Sequence, residues 1–95
     1  MPVEDLKRTV RAFVLLKVEL GKEQKVMEDL LKLAEVKEVH EIPGQYDVLV
    51  VLDFKRDMLA PSTQKIADFV SGTIGKIHGV HDSDTMMPTR SRVKV

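Results

Sequence analysis

Two stretches of the chain are apolar at both strand parities. In residues 46–53, Tyr46, Val48, Val50 and Leu52 fall on one side, and Leu49 and Val51 on the other. Successive side chains of a strand point to opposite faces, so this pattern predicts a strand covered on both. The charged residues Asp47 and Asp53 mark its ends, and Pro43 and Gly44 ahead of it are turn residues. Residues 11–18 repeat the theme. Ala12, Val14, Leu16 and Val18 form one apolar face; Phe13 and Leu15, flanked by Arg11 and Lys17, form the other. They predict a second interior strand.

The remaining stretches carry other periods. From 22 to 34, Val26, Leu30 and Leu33, with Met27, Leu31 and Ala34 beside them, recur at three- and four-residue spacing, while Lys22, Lys25, Glu28, Asp29 and Lys32 face away. This predicts an amphipathic helix. Residues 36–42 predict a short edge strand, apolar at Val36, Val39 and Ile42. A connection over 54–61 ends in Pro61, and Ser62 is a candidate N-cap for a helix over 63–77 with the stripe Ile66, Phe69, Val70, Ile74 and Ile77. Gly79 ends that helix. Residues 80–87 predict a fourth strand, which Pro88 stops or marks as an edge.

The order is therefore β-α-β-β-α-β, an α+β ferredoxin-like sandwich: a four-stranded antiparallel sheet with two helices on one face. Strands 11–18 and 46–53 are its central neighbours. The open sheet face carries Phe13, Leu15, Leu49 and Val51, and an apolar patch on so small a domain predicts a homodimer through that face. Residues 1–10 read as an N-terminal arm and 11–88 as the domain. Residues 89–95 read as a tail or short fifth strand, which a partner chain would be placed to receive.

Composition narrows the function classes. Ninety-five residues make one domain, and net charge is zero, which argues against direct DNA binding through a basic surface. Cysteine is absent, so disulfides and thiolate metal sites are excluded. No apolar run approaches a membrane span, and the N-terminus lacks the apolar core of a signal peptide; a cytoplasmic protein is expected. His40, His78, His81, Asp82 and Asp84 lack the tight spacing of a metal site and read as surface polar residues. Asp47, Asp82 and Asp84 have no nucleophile–base partner, so no catalytic residue, metal or cofactor is expected. Antiparallel pairing of the central strands sets Lys17 near Asp47 and Arg11 near Asp53, as structural ion pairs. Arg90, Arg92 and Lys94 come without aromatics and read as a solvated terminus.

At Gly44, Gln45, Tyr46 and Asp47 the chain resembles a known family. With the run Ala12 to Val18, Gly21-Lys22-Glu23, Val36-Lys37-Glu38-Val39, and Ile77-x-Gly79-Val80 leading to Ser83-Asp84-Thr85, this turn is similar to the effector (RAM) domain of the Lrp/AsnC, or feast/famine, transcription regulators. The resemblance covers about 11–88. It implies face-to-face dimers, often in rings, and a small amino-acid ligand where dimers meet. Carried over by position, that ligand site is Gly44, Gln45, Tyr46 and Asp47 with Ser83 and Thr85. The family's DNA-binding helices have no counterpart in this sequence, so the resemblance is to its stand-alone effector modules, which act by co-assembly with a full-length regulator. Two alternatives stand beside it: a small dimeric ferredoxin-like enzyme, and an interaction module with no ligand.

Overall fold

The computed structural model describes residues 9–55, 63–92 and 94. Its elements are β1 (Thr9–Val18), α1 (Glu23–Leu31), β2 (Val36–Glu41), β3 (Val48–Lys55), α2 (Thr63–Gly72), a 3-10 turn (Ile74–Lys76) and β4 (Val80–Met86). The strands form an antiparallel sheet in the order β2-β3-β1-β4, the ferredoxin-like arrangement. Of the predicted arm over 1–10, residues 1–8 lie outside the described residues, as do Pro61 and the Ser62 cap, while Thr9 and Val10 already belong to β1.

Register explains which residues are core. On β1, Ala12, Val14 and Leu16 lie opposite Leu52, Val50 and Val48 of β3. All six are buried, together with Val26 and Leu30 of α1, Ile66 and Val70 of α2, and Ile74 of the 3-10 turn. The helical stripes and the even-numbered strand face thus bury each other. At about 25 cal/mol per Å² of apolar surface removed from water, this burial is the main stabilising contribution. Phe54 and Phe69 close one margin of this core with their rings edge to face, centroids 5.4 Å apart.

The opposite parity makes the other face. Phe13 pairs with Val51 and Leu15 with Leu49. Val51 is buried and the other three are half-buried, while Met86, opposite Phe13 on β4, is exposed. At one end of this face Arg11 clamps Asp53 through two hydrogen bonds, Nε to Oδ1 at 2.9 Å and Nη2 to Oδ2 at 3.2 Å. The bond to Asp53 raises the Arg11 pKa further above its ordinary value, against a smaller opposing effect of burial.

Several boundaries differ from the sequence expectation. α1 stops at Leu31, not at 34, because the chain tightens there: Leu33 N–H donates to the Leu30 carbonyl and Val36 N–H to the Leu33 carbonyl. α2 stops at Gly72, and only a 3-10 turn continues it. Ile77 is already extended, yet still packs on the core. β3 begins at Val48, so Tyr46 and Asp47 belong to the turn before it. Residues 87–92 and Lys94 are not in a strand. Among the described residues, no helix is long and apolar enough to cross a membrane.

Gly79 is where the backbone leaves least freedom. Its φ is 101°, and a Cβ there would sit 3.0 Å from Lys22 Cβ and 3.2 Å from Val26 Cγ2. Its carbonyl also accepts the Glu19 N–H at 2.7 Å. Gly79→Ala should therefore cost about 1–3 kcal/mol, whereas Gly72→Ala, at a helix end with open space around it, should gain about 0.4–1 kcal/mol. Urea denaturation of both variants at equal protein concentration checks the contrast in sign.

Candidate ligand-binding site

The turn between β2 and β3 is built around Asp47. Its N–H donates to the Leu16 carbonyl at 2.8 Å, and its carbonyl accepts the Ile42 N–H at 2.9 Å. Its carboxylate Oδ2 accepts the Val18 N–H at 2.8 Å. One residue thus closes the turn and ties it to the end of β1 through main chain and side chain. Lys17 does not form the expected ion pair with Asp47. Its ammonium lies 5.8 Å from the centroid of the Tyr46 ring, a cation–π contact, while Val18 takes the carboxylate. Strand parity placed Lys17 beside Asp47, but a backbone donor pointing into the same gap wins the oxygen.

Gly44 has φ 134°, and a Cβ there would meet nothing within 4 Å, so conformation and not crowding calls for glycine. Gln45 is exposed; Tyr46 is half-buried. The N–H groups of Gly44, Gln45 and Tyr46 make no hydrogen bond among the described residues. Beside the turn lies a cleft of about 420 Å³ lined by Glu23, Glu41, Ile42, Pro43 and Asp47. Glu23 opens α1, and its Oε1 accepts the Gly21 N–H at 3.0 Å. Sequence reasoning found Asp47 but not Glu23 or Glu41. The topology offered the signal, because the βαβ unit returns the start of α1 and the end of β2 to the same end of the sheet as the turn.

Ser83 and Thr85 sit elsewhere in the chain. They lie on β4 opposite Leu16 and Val14, hence on the helix side of the sheet. Ser83 is exposed and Thr85 half-buried. β1 separates them from β3, so they stand two strand spacings from Val48, roughly 10 Å. The histidines do not converge: His40 Nε2 is 2.9 Å from Glu38 Oε1, and His81 Nε2 is 4.0 Å from Glu19 Oε1. Among the described residues, no group of three or more His, Asp or Glu side chains is arranged to hold a metal ion.

The sheet order, the two helices on one face and the glycine turn define a small ferredoxin-like α+β domain with an open sheet face. Residues 11–94 match the Lrp/AsnC ligand binding domain, and the chain belongs to that family. It is 33% identical over 84 residues to the HTH-type transcriptional regulator FL11 of Pyrococcus furiosus, a match covering 88% of this chain and 51% of the relative. The chain spans about half the length of the curated relatives it matches. Among solved structures, FFRP-DM1 is 32% identical with a TM-score of 0.70, covering 83% of this chain and 97% of its own. The transcriptional regulator NMB0573 from Neisseria meningitidis, solved with L-Met, shares the fold at a TM-score of 0.73 and 20% identity, covering 99% of this chain and 58% of its own.

The Asp47 arrangement is directly testable. Asp47→Ala leaves the N–H of the buried Val18 without its acceptor and should cost about 1–3 kcal/mol. Asp47→Asn keeps an oxygen there and should retain most of the stability. Chemical denaturation of the two variants separates them.

Proposed function

We propose that this chain is an amino-acid-binding and oligomerising module of the Lrp/AsnC type, which modulates transcription regulation by ligand binding and co-assembly with a full-length regulator. The observation that carries this reading is the turn at 44–47. Three unbonded N–H groups, of Gly44, Gln45 and Tyr46, lie next to a carboxylate held in place through one oxygen. The N–H groups can receive a ligand carboxylate, and the second oxygen of Asp47 can receive its α-ammonium. A neighbouring subunit contributes Ser83 and Thr85, which β1 keeps away from the turn within one chain. The L-Met complex of the Neisseria regulator supports an amino acid as the ligand class on this fold. No catalytic residue, cofactor or direct DNA contact is assigned, and a module that assembles with a DNA-bound regulator works in the cytoplasm.

The homodimer forms through Phe13, Leu15, Leu49 and Val51, whose register on one sheet face supports a self-complementary contact and larger rings built from such dimers. Leu49 is the better probe. Val51 is 4% exposed in the single chain, so replacing it would unsettle the fold itself. Leu49→Asp should cost several kcal/mol of association, the scale of an uncompensated buried charge. It should sediment as a smaller assembly than the wild type at equal micromolar concentration; a folded variant with an unchanged assembly size would overturn this face.

For the ligand, calorimetry with individual amino acids should find at least one that binds the wild-type chain at or below millimolar concentration. Asp47→Asn should weaken that binding by about 1.5–3 kcal/mol, the value of a hydrogen bond to a charged group, with dimer stability nearly unchanged. Absence of binding to the wild type, or equal binding by Asp47→Asn, would return the turn to a purely structural role.

A further inference from the structure

The outer edge of β4, unpaired among the described residues, and the segment that follows it match each other in register, charge and hydrogen-bonding parity. On β1, Leu16 directs its carbonyl and Val18 its N–H towards β3, so Phe13, Leu15 and Lys17 direct theirs towards β4. Their partners Met86, Asp84 and Asp82 are therefore the residues of β4 bonded to β1, and Ser83 and Thr85 point their main-chain groups to the outer edge. The Ser83 N–H donates to the Asp82 side chain at 2.9 Å, as an outward-facing group without a strand partner would. Asp82 and Asp84 are exposed and make no ion pair among the described residues. Beyond Pro88, cations recur at Arg90, Arg92 and Lys94, with the same two-residue spacing as the two carboxylates.

We propose that the tail beyond Pro88 of one copy, through Arg90, Ser91, Arg92 and Lys94, adds in antiparallel sense to the outer edge of β4 of a second copy, reciprocally, about a two-fold axis at Pro88. This register sets Arg92 opposite Asp84 and Lys94 opposite Asp82, all on the open-face side of the sheet, and sets Ser91 opposite Thr85. Residues 85 and 91 then form a hydrogen-bonded pair, because Thr85 points outward. Pro88, which has no N–H, falls on its own copy at a position where no hydrogen bond is required. Lys94 meets the last residue of β4 in regular register, since the pairing with β1 shifts between Lys17 and Val18. A free edge is a standing template for another strand, and this one is matched by charge to the chain's own tail. The same pairs would arise if the tail folded back on its own β4, but in the single chain Arg90, Ser91, Arg92 and Lys94 are exposed and outside any strand. A second copy is the occupant.

Cysteine cross-linking tests this cleanly, because the chain has no cysteine. Positions 84 and 92 are both exposed, and a non-hydrogen-bonded antiparallel pair brings Cα atoms to about 4.5 Å, within disulfide reach. Asp84→Cys and Arg92→Cys are made separately, carried on chains of different mass, co-expressed and oxidised gently. The expected result is a disulfide joining the two different chains, at least tenfold over that formed by Asp84→Cys with Glu28→Cys, an exposed position on α1. The double variant D84C/R92C should give disulfide-linked dimers. No excess over the Glu28→Cys control, or an intrachain disulfide in the double variant, would overturn the proposal. Both readouts are independent of any amino-acid ligand.

Discussion

The antiparallel register of β1 on β3 is the constraint on which the rest of the structure depends. Both strands are apolar at both parities, so a slip of one residue would exchange the two faces wholesale. Side-chain carboxylates at the two ends of β3 resist that slip. Asp53 is held by the Arg11 guanidinium at one end, and Asp47 accepts the Val18 N–H at the other. With register set, the even-numbered residues meet the helices and close the core. The odd-numbered ones remain as a second apolar face that the two helices cannot reach.

The same fastening shapes the candidate site. Asp47 is both the lock at one end of the central pair and the acidic group of the 44–47 turn. Its two oxygens divide the work, one on Val18 and one directed to a ligand in the proposed reading. A ligand that draws on Asp47 therefore acts on a residue holding β1, and β1 pairs with β4 on its other side. Site, open face and β4 edge are linked through a single strand, which in the proposed reading couples ligand binding to assembly.

Much of the fold was legible because its strongest signals are periodic. The two doubly apolar stretches identified the central strands, and the three- and four-residue spacing of Val26 and Leu30 and of Ile66 and Val70 identified the helices. Helix ends were less legible. The stripe runs on through Leu33 and Ile77, which do pack on the core, but from tightened or extended backbone that apolar spacing alone does not reveal. Within the site, Gly44 and Asp47 stood out by residue type and position. The capture of Asp47 by Val18 N–H did not, because parity locates side chains and says nothing of a backbone donor competing for the same oxygen. The face occupied by Ser83 and Thr85 depends on the β1–β4 offset and its irregularity at Lys17 and Val18, which no pattern in residues 80–86 encodes.

The most direct test of the central claim, that the 44–47 turn receives an amino acid, is a titration followed through backbone amide NMR signals of the isotopically labelled chain. The account predicts that the amides of Gly44, Gln45 and Tyr46 shift on binding. It also predicts that the Val18 amide moves with them, because its acceptor is the carboxylate that meets the ligand ammonium. Shifts confined to other parts of the chain, or a Val18 amide that stays in place while the turn saturates, would contradict it.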